Sequence, residues 1–204
     1  MKLKLLYSSL LFSVLFLNSS YAQQTYVPDD VFEEYLINQG YDTVLDNYVS
    51  TANIANVTTV NLNGKNVTDL TGIADFEALN ILNVSGTLIL NLDVSANTEL
   101  TNLNAYDTAI SSLDLSANSA LTNLYVDNTL LNRLDVSNNL ALTDLYISNT
   151  NINSIDVSAN TALTSLSISE TSIVLLDVST NTALTFLSVV STPISSLDLS
   201  TNTA

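Results

Sequence analysis

Six aspartates, Asp93, Asp114, Asp135, Asp156, Asp177 and Asp198, recur at intervals of 21 residues. Carboxylates can work as an acid and base pair or bind a hard cation such as Ca²⁺. Glycosidic chemistry needs two acids in one cleft with separated pKa values, and a repeated row offers no unique pair. If the row stacks on neighbouring strands it repeats about every 4.8 Å, where like charges repel by about 1 kcal/mol even in water. Two offsets stay open. Each Asp can accept from backbone N–H groups or from the serine column Ser95 to Ser200, or Ca²⁺ can bridge adjacent coils. The glycine-rich calcium loops of other exported solenoids are absent from the sequence.

Tyr106, Tyr125 and Tyr146 form a second constellation, interleaved with Asn102, Asn104, Asn123, Asp127 and Asp144. Tyrosine offers contact area at low entropic cost, and amides and acids at its edge suit a protein or polysaccharide ligand. The same rings could instead only stiffen a sheet by stacking across strands. Other chemistries are excluded by composition. The chain has no histidine and no cysteine, so it has no Ser/His/Asp or Cys/His arrangement, no disulfide and no thiolate metal site. Phosphate loops, metal-hydrolase motifs and nucleophile elbows are missing too, and the expectation is a protein that is not an enzyme. Nucleic acid is an unsuitable partner for 204 residues with a net charge of −16 and only Lys65 and Arg133 as cations beyond residue 4.

The elements that position these residues follow from the same period. Leu79, Leu100, Leu121, Leu142, Leu163 and Leu184 are 21 residues apart, as are Leu82, Leu103, Leu124, Leu145, Leu166 and Leu187. Six such units fill 79–204, and a 22-residue variant occupies 57–78. Self-similarity at this period is the mark of a solenoid. In each unit two stretches alternate apolar with polar, as in Leu124-Tyr125-Val126 and Leu134-Asp135-Val136, which reads as short half-buried strands. Thr87 to Thr192 and Asn97 to Asn202 form unvarying polar columns three residues beyond each stretch. At the bends, an inward hydroxyl or amide can satisfy turning backbone and its counterpart in the next coil. Outward residues of the first strand fall in three variable columns. They are Ile81, Asn102, Asn123, Asp144, Ser165, Phe186; Asn83, Asn104, Tyr125, Tyr146, Ser167, Ser188; and Ser85, Tyr106, Asp127, Ser148, Ser169, Val190.

Residues 1–22 carry Lys2 and Lys4, an apolar run and the small-residue site Ser20-Tyr21-Ala22, the layout of a secretory signal peptide. Its removal would leave 182 residues and, with two cations lost, a charge of −18. A lipid anchor on cysteine is excluded, and no later apolar run is long enough for a bilayer. Residues 23–56 read as a helical cap. Pro28-Asp29-Asp30 suits a helix start, Val31, Phe32, Tyr35 and Leu36 form an apolar stripe, and Gly40 can end the helix. The stretch Val44 to Ile54 is expected to add a second short helix.

The pattern LxxLxLxxTxIxxLDVSxNxx resembles bacterial leucine-rich repeats, with Thr in place of the usual bend asparagine. It is especially similar to the 21-residue class called IRREKO, and the unit at 57–78 is similar to internalin-type repeats. Tyr26-Val-Pro-Asp-Asp-Val-Phe-Glu-Glu resembles the opening of secreted Bacteroidetes repeat proteins. The resemblance implies a leucine-rich repeat solenoid, α/β by convention, of short parallel β-strands with little helix, a small helical N-terminal cap and no C-terminal cap. Ala204 falls one residue before the next leucine of the period, so continuation into further repeats is expected, and by resemblance a sorting domain. The expected function is non-catalytic recognition of a protein or glycan, secreted or at the cell surface. The alternatives are an accessory targeting module of a longer secreted enzyme and a structural spacer.

Overall fold

Residues 22–204 are described by the computed structural model; the expected signal peptide lies outside them apart from Ala22. One three-residue strand per coil builds a seven-stranded parallel sheet: β3 (Thr59–Asn61), β4 (Ile81–Asn83), β5 (Asn102–Asn104), β6 (Asn123–Tyr125), β7 (Asp144–Tyr146), β8 (Ser165–Ser167) and β9 (Phe186–Ser188). Each strand pairs in register with the next, so Leu82, Leu103, Leu124, Leu145, Leu166 and Leu187 stack in one column. The five of these from Leu82 to Leu166 are fully buried, and the middle residue is inward while its neighbours face out. The result is a leucine-rich-repeat solenoid with one continuous apolar core along its axis.

The second stretch of each coil, as in Leu134-Asp135-Val136, forms no strand ladder. The reason lies in what replaces the ladder. The Nδ2 of Asn139 donates to the carbonyls of Leu115 (3.1 Å) and Asn118 (2.8 Å) in the preceding coil. Asn118, Asn160, Asn181 and Asn202 repeat this geometry, and Asn97 reaches Ile73 and Phe76. A buried amide therefore ties this arm coil to coil where backbone pairing does not. The threonine column has another task. Thr129 Oγ1 donates to the Val126 carbonyl at 2.7 Å within its own coil, as do Thr87, Thr108, Thr150, Thr171 and Thr192 at theirs. A second threonine column, Thr101 to Thr185, again bridges coils, with Thr122 Oγ1 donating to the Thr101 carbonyl at 3.0 Å.

Past each strand the inter-coil hydrogen bonds continue around the bend. Asn128 N–H donates to Ser148 O and Glu170 N–H to Val190 O while both residues hold positive φ, 54° and 56°. Gly64, Gly86, Asp107, Asn149 and Ser191 occupy the same position with the same sign of φ. A left-handed residue turns the chain without withdrawing its N–H from the ladder. Glycine and asparagine accept this conformation readily and glutamate does not.

The first coil is covered by β1 (Gln24–Tyr26) and β2 (Tyr48–Ser50), antiparallel to each other, and by α1 (Asp30–Asn38). Asp29 caps α1 with one oxygen, accepting from Val31 and Phe32 N–H, and with the other accepts from Thr68 N–H and Oγ1 and Asp69 N–H of the first repeat. Tyr35 hydroxyl accepts from Asn61 N–H on the outer edge of β3, and Phe32 stacks on Phe76. The expected helix over Val44 to Ile54 is instead β2 and a single turn, α2 (Thr51–Ile54). Fully buried Glu33 explains it, because its carboxylate gathers the N–H groups of Asp46, Asn47 and Tyr48 and holds Asn47 at positive φ. Among the described residues no helix is long and apolar enough to cross a membrane.

Two substitutions test this frame. Asn139→Ala leaves two carbonyls of the preceding coil without their bridging donor, and should cost about 1–3 kcal/mol in urea unfolding. Glu170→Gly relieves a left-handed residue and should raise stability by about 1 kcal/mol; a fall would show that the bend draws on the glutamate side chain.

Candidate functional site

The sheet's outward face carries six of the eight residues singled out by the tyrosine pattern. Asn102 and Asn104 stand on β5, Asn123 and Tyr125 on β6, and Asp144 and Tyr146 on β7. Tyr106 and Asp127 lie two residues beyond their strands, on the rim where the chain bends. Register sets the rings directly side by side, since Tyr125 pairs with Tyr146 across β6 and β7. Their centroids are 5.2 Å apart at 43°. From Tyr146 the aromatic row runs on to Phe186 of β9, 6.3 Å away and nearly parallel at 13°. Tyr146 reaches across a whole strand because β8 presents only Ser165 and Ser167 on this face. Tyr106 takes no part in this stack; it stands 44% exposed on the rim, its N–H held by Asn104 Oδ1 at 3.0 Å.

Phe186 is therefore the aromatic neighbour that the tyrosine pattern missed. It occupied the first outward column, but two coils separate it from Tyr146, and only the small side chains between them bring the rings together. The polar edge is ordered by hydroxyls. Asn123 Nδ2 donates to Asp144 Oδ2 at 2.8 Å, Thr143 Oγ1 donates to that same oxygen at 2.7 Å, and Thr122 Oγ1 holds Asn123 Oδ1. Burial pushes the Tyr125 hydroxyl above its ordinary pKa against the Asn123 bond, and the Asp144 charge adds to the rise. Burial likewise raises Asp127, outweighing the bond from Ser148 N–H.

The aspartate row sits elsewhere, on the second arm, where Asp93, Asp114 and Asp135 line a groove with Arg133. Each of its six carboxylates accepts from the N–H of the serine two residues on at 2.9 Å. These bonds to Ser95, Ser116, Ser137, Ser158, Ser179 and Ser200 hold all six below the ordinary aspartate value of 3.8, against repulsion where neighbouring carboxylates face each other. Local turns thus offset the like-charge row. Among the described residues no group of three or more His, Cys, Asp or Glu side chains could hold a metal ion, and this includes the row Asp93, Asp114, Asp135, Asp156, Asp177 and Asp198 that the Ca²⁺ alternative invokes.

Solved structures share the architecture. An internalin of Listeria monocytogenes, inlF, superposes with a TM-score of 0.68 at 20% identity, over 84% of this chain and 59% of that one. Internalin C2 of the same organism gives 0.67 at 18% identity, over 89% of this chain and 95% of its own. A leucine-rich-repeat protein of Leptospira interrogans gives 0.59 at 18%, over 62% of this chain and 35% of that one. The chain thus spans well under two thirds of two of these three proteins. No protein-family model and no curated protein matches the sequence.

The carboxyl network sets the response to acid. A carboxyl lowered in the folded state contributes fully above the unfolded value of 3.8 and loses that contribution as pH falls through the lowered one. Asp29 belongs with the six row aspartates: burial alone would raise it, and its bonds to Thr68, Phe32 and Asp69 outweigh burial. Asp127 runs the opposite way. The urea midpoint should hold from pH 7 to about pH 5 and drop below about pH 4, with Asp29→Asn flattening the drop. An unchanged midpoint at pH 3 would contradict these assignments.

Proposed function

We propose that the chain is a non-catalytic recognition module, exported to the cell surface or beyond, that binds a protein ligand across the outward face of its parallel sheet. The observation that carries this reading is the aromatic row Tyr125, Tyr146 and Phe186, displayed on a parallel ladder with the two tyrosines half-buried and Phe186 47% exposed. Rigid rings on a fixed scaffold lose little entropy on binding and supply most of the contact area of a recognition patch. Asn102, Asn104, Asn123, Asp127 and Asp144 border the row, with Tyr106 on its rim, and would fix orientation through hydrogen bonds. Export is supported by the sequence of residues 1–22. The likeness to internalins supports the repeat scaffold on which the row stands.

Catalysis finds no support in the same face. Asp144 and Asp127 are the acids beside the rings, and the sequence has no histidine or cysteine for a Ser/His/Asp or Cys/His arrangement. A neutral polysaccharide is the second reading, favoured by the stacked geometry of Tyr146 and Phe186, whose flat faces can take a sugar ring.

An array of purified extracellular protein domains, run beside a glycan array, tests both. Protein hits should weaken at least about tenfold with Tyr125→Ala/Tyr146→Ala, as expected when central aromatic anchors are truncated, while Leu175→Ala on the opposite arm should leave them unchanged. Hits confined to the glycan array would transfer the site to sugars. Protein hits indifferent to the tyrosines would end the sheet-face assignment.

A further inference from the structure

The aromatic row is bordered by charge of one sign. Asp144 stands on the same strand face as Tyr146, two residues away. Its Oδ2 takes both the Asn123 and Thr143 bonds, and its Oδ1 accepts no hydrogen bond among the described residues. Asp127 borders Tyr125 on the bend side, two residues further along the chain, where its carboxylate accepts from the Ser148 N–H. The three outward columns contain no lysine or arginine from β4 to β9, and the two cations of the described residues, Lys65 and Arg133, lie outside them.

Ring faces present negative potential, and a cation above them is drawn by the ring quadrupole. Here a carboxylate stands at each end of the row, Asp144 where β7 begins and Asp127 on the bend past β6, so ring and acid select for one chemistry together. A neutral sugar would use the rings and amides and gain nothing from the acids. An anionic partner would be repelled by Asp144, Asp127 and a chain of net charge −16. Resting on the sheet-face reading above, we propose that the ligand is a polypeptide segment bearing lysine or arginine, whose cationic heads seat against Tyr125 and Tyr146 and pair with Asp144 and Asp127. The free Oδ1 of Asp144 is the acceptor that such a head would complete, and arginine, with its planar fork, can stack and hydrogen-bond at once. The field of the whole chain would also speed encounter with such a segment, and salt would weaken it.

The test uses the full chain and a fluorescein-labelled twelve-residue peptide alternating Arg with Gly, followed by fluorescence anisotropy. Glu-Gly and Ser-Gly versions and a labelled cello-oligosaccharide serve as comparison probes. Only the Arg peptide should bind, with affinity falling about tenfold or more between 50 and 300 mM NaCl. Asp144→Asn should weaken it about fivefold or more, and Tyr146→Ala similarly, while Tyr146→Phe should retain binding. Asp177→Asn removes the same charge from the far arm and should have little effect. Circular dichroism and urea midpoints check that each variant folds. Equal weakening by Asp144→Asn and Asp177→Asn would mean attraction by net charge alone and would overturn the proposal. Binding of the cello-oligosaccharide but not the Arg peptide, lost in Tyr146→Ala, would overturn it while leaving the sheet-face site in place. Peptide binding whose amide-exchange protection falls outside β6 to β9 would overturn both.

Discussion

One buried asparagine amide per coil is the interaction on which this molecule depends. A single coil of 21 residues has too few apolar side chains to offset the entropy of ordering its backbone, so it folds only against a neighbour. On one arm the neighbour is joined by a short parallel ladder. On the other arm there is no ladder, and the amide of each asparagine, donating to two carbonyls of the previous coil, takes its place. Because the asparagines from Asn97 to Asn181 are fully buried, their donors cannot turn to water, and the column has no tolerance there for a residue that lacks them. Register on the far side of the coil follows from that constraint, and with it the alignment of everything on the sheet.

That alignment is what converts an irregular set of surface residues into a site. Leucine columns and bend columns are occupied by the coil-to-coil contract, so variation is confined to positions that face solvent. Two tyrosines one period apart become ring neighbours, and a phenylalanine two periods on joins them across a strand of serines. The acids divide by location in the same way. The row on the second arm is absorbed by serine turns, whereas Asp144 stands on the face with the rings and Asp127 on its rim.

Much of this was legible in the residues. The 21-residue period specified coils, the leucine columns specified the core, and alternation specified the first strand of each unit together with the outward columns. The serine partner of each aspartate could be read from local spacing, because a turn two residues long needs no knowledge of the fold. Less legible were features that depend on distance through space. The second alternating stretch looks like a strand because period-2 patterning reports which side chains are inward, not whether the backbone finds a partner. The stretch Val44 to Ile54 looked helical until Glu33, which in sequence is an ordinary helix-surface acid, folded its backbone into a carboxylate-binding bend.

By itself the sequence determined the architecture, the inward and outward assignment of nearly every repeat position, and the absence of thiol and imidazole groups. These are properties of residue type and period, which act locally and repeat. Tertiary structure alone decided which aromatic residues touch, since Tyr146 meets Phe186 only because β8 is lined with serine. It also decided that one threonine column serves its own coil while the asparagines serve the preceding one. Both outcomes turn on the direction and reach of side chains between coils, and separation along the chain carries no information about either.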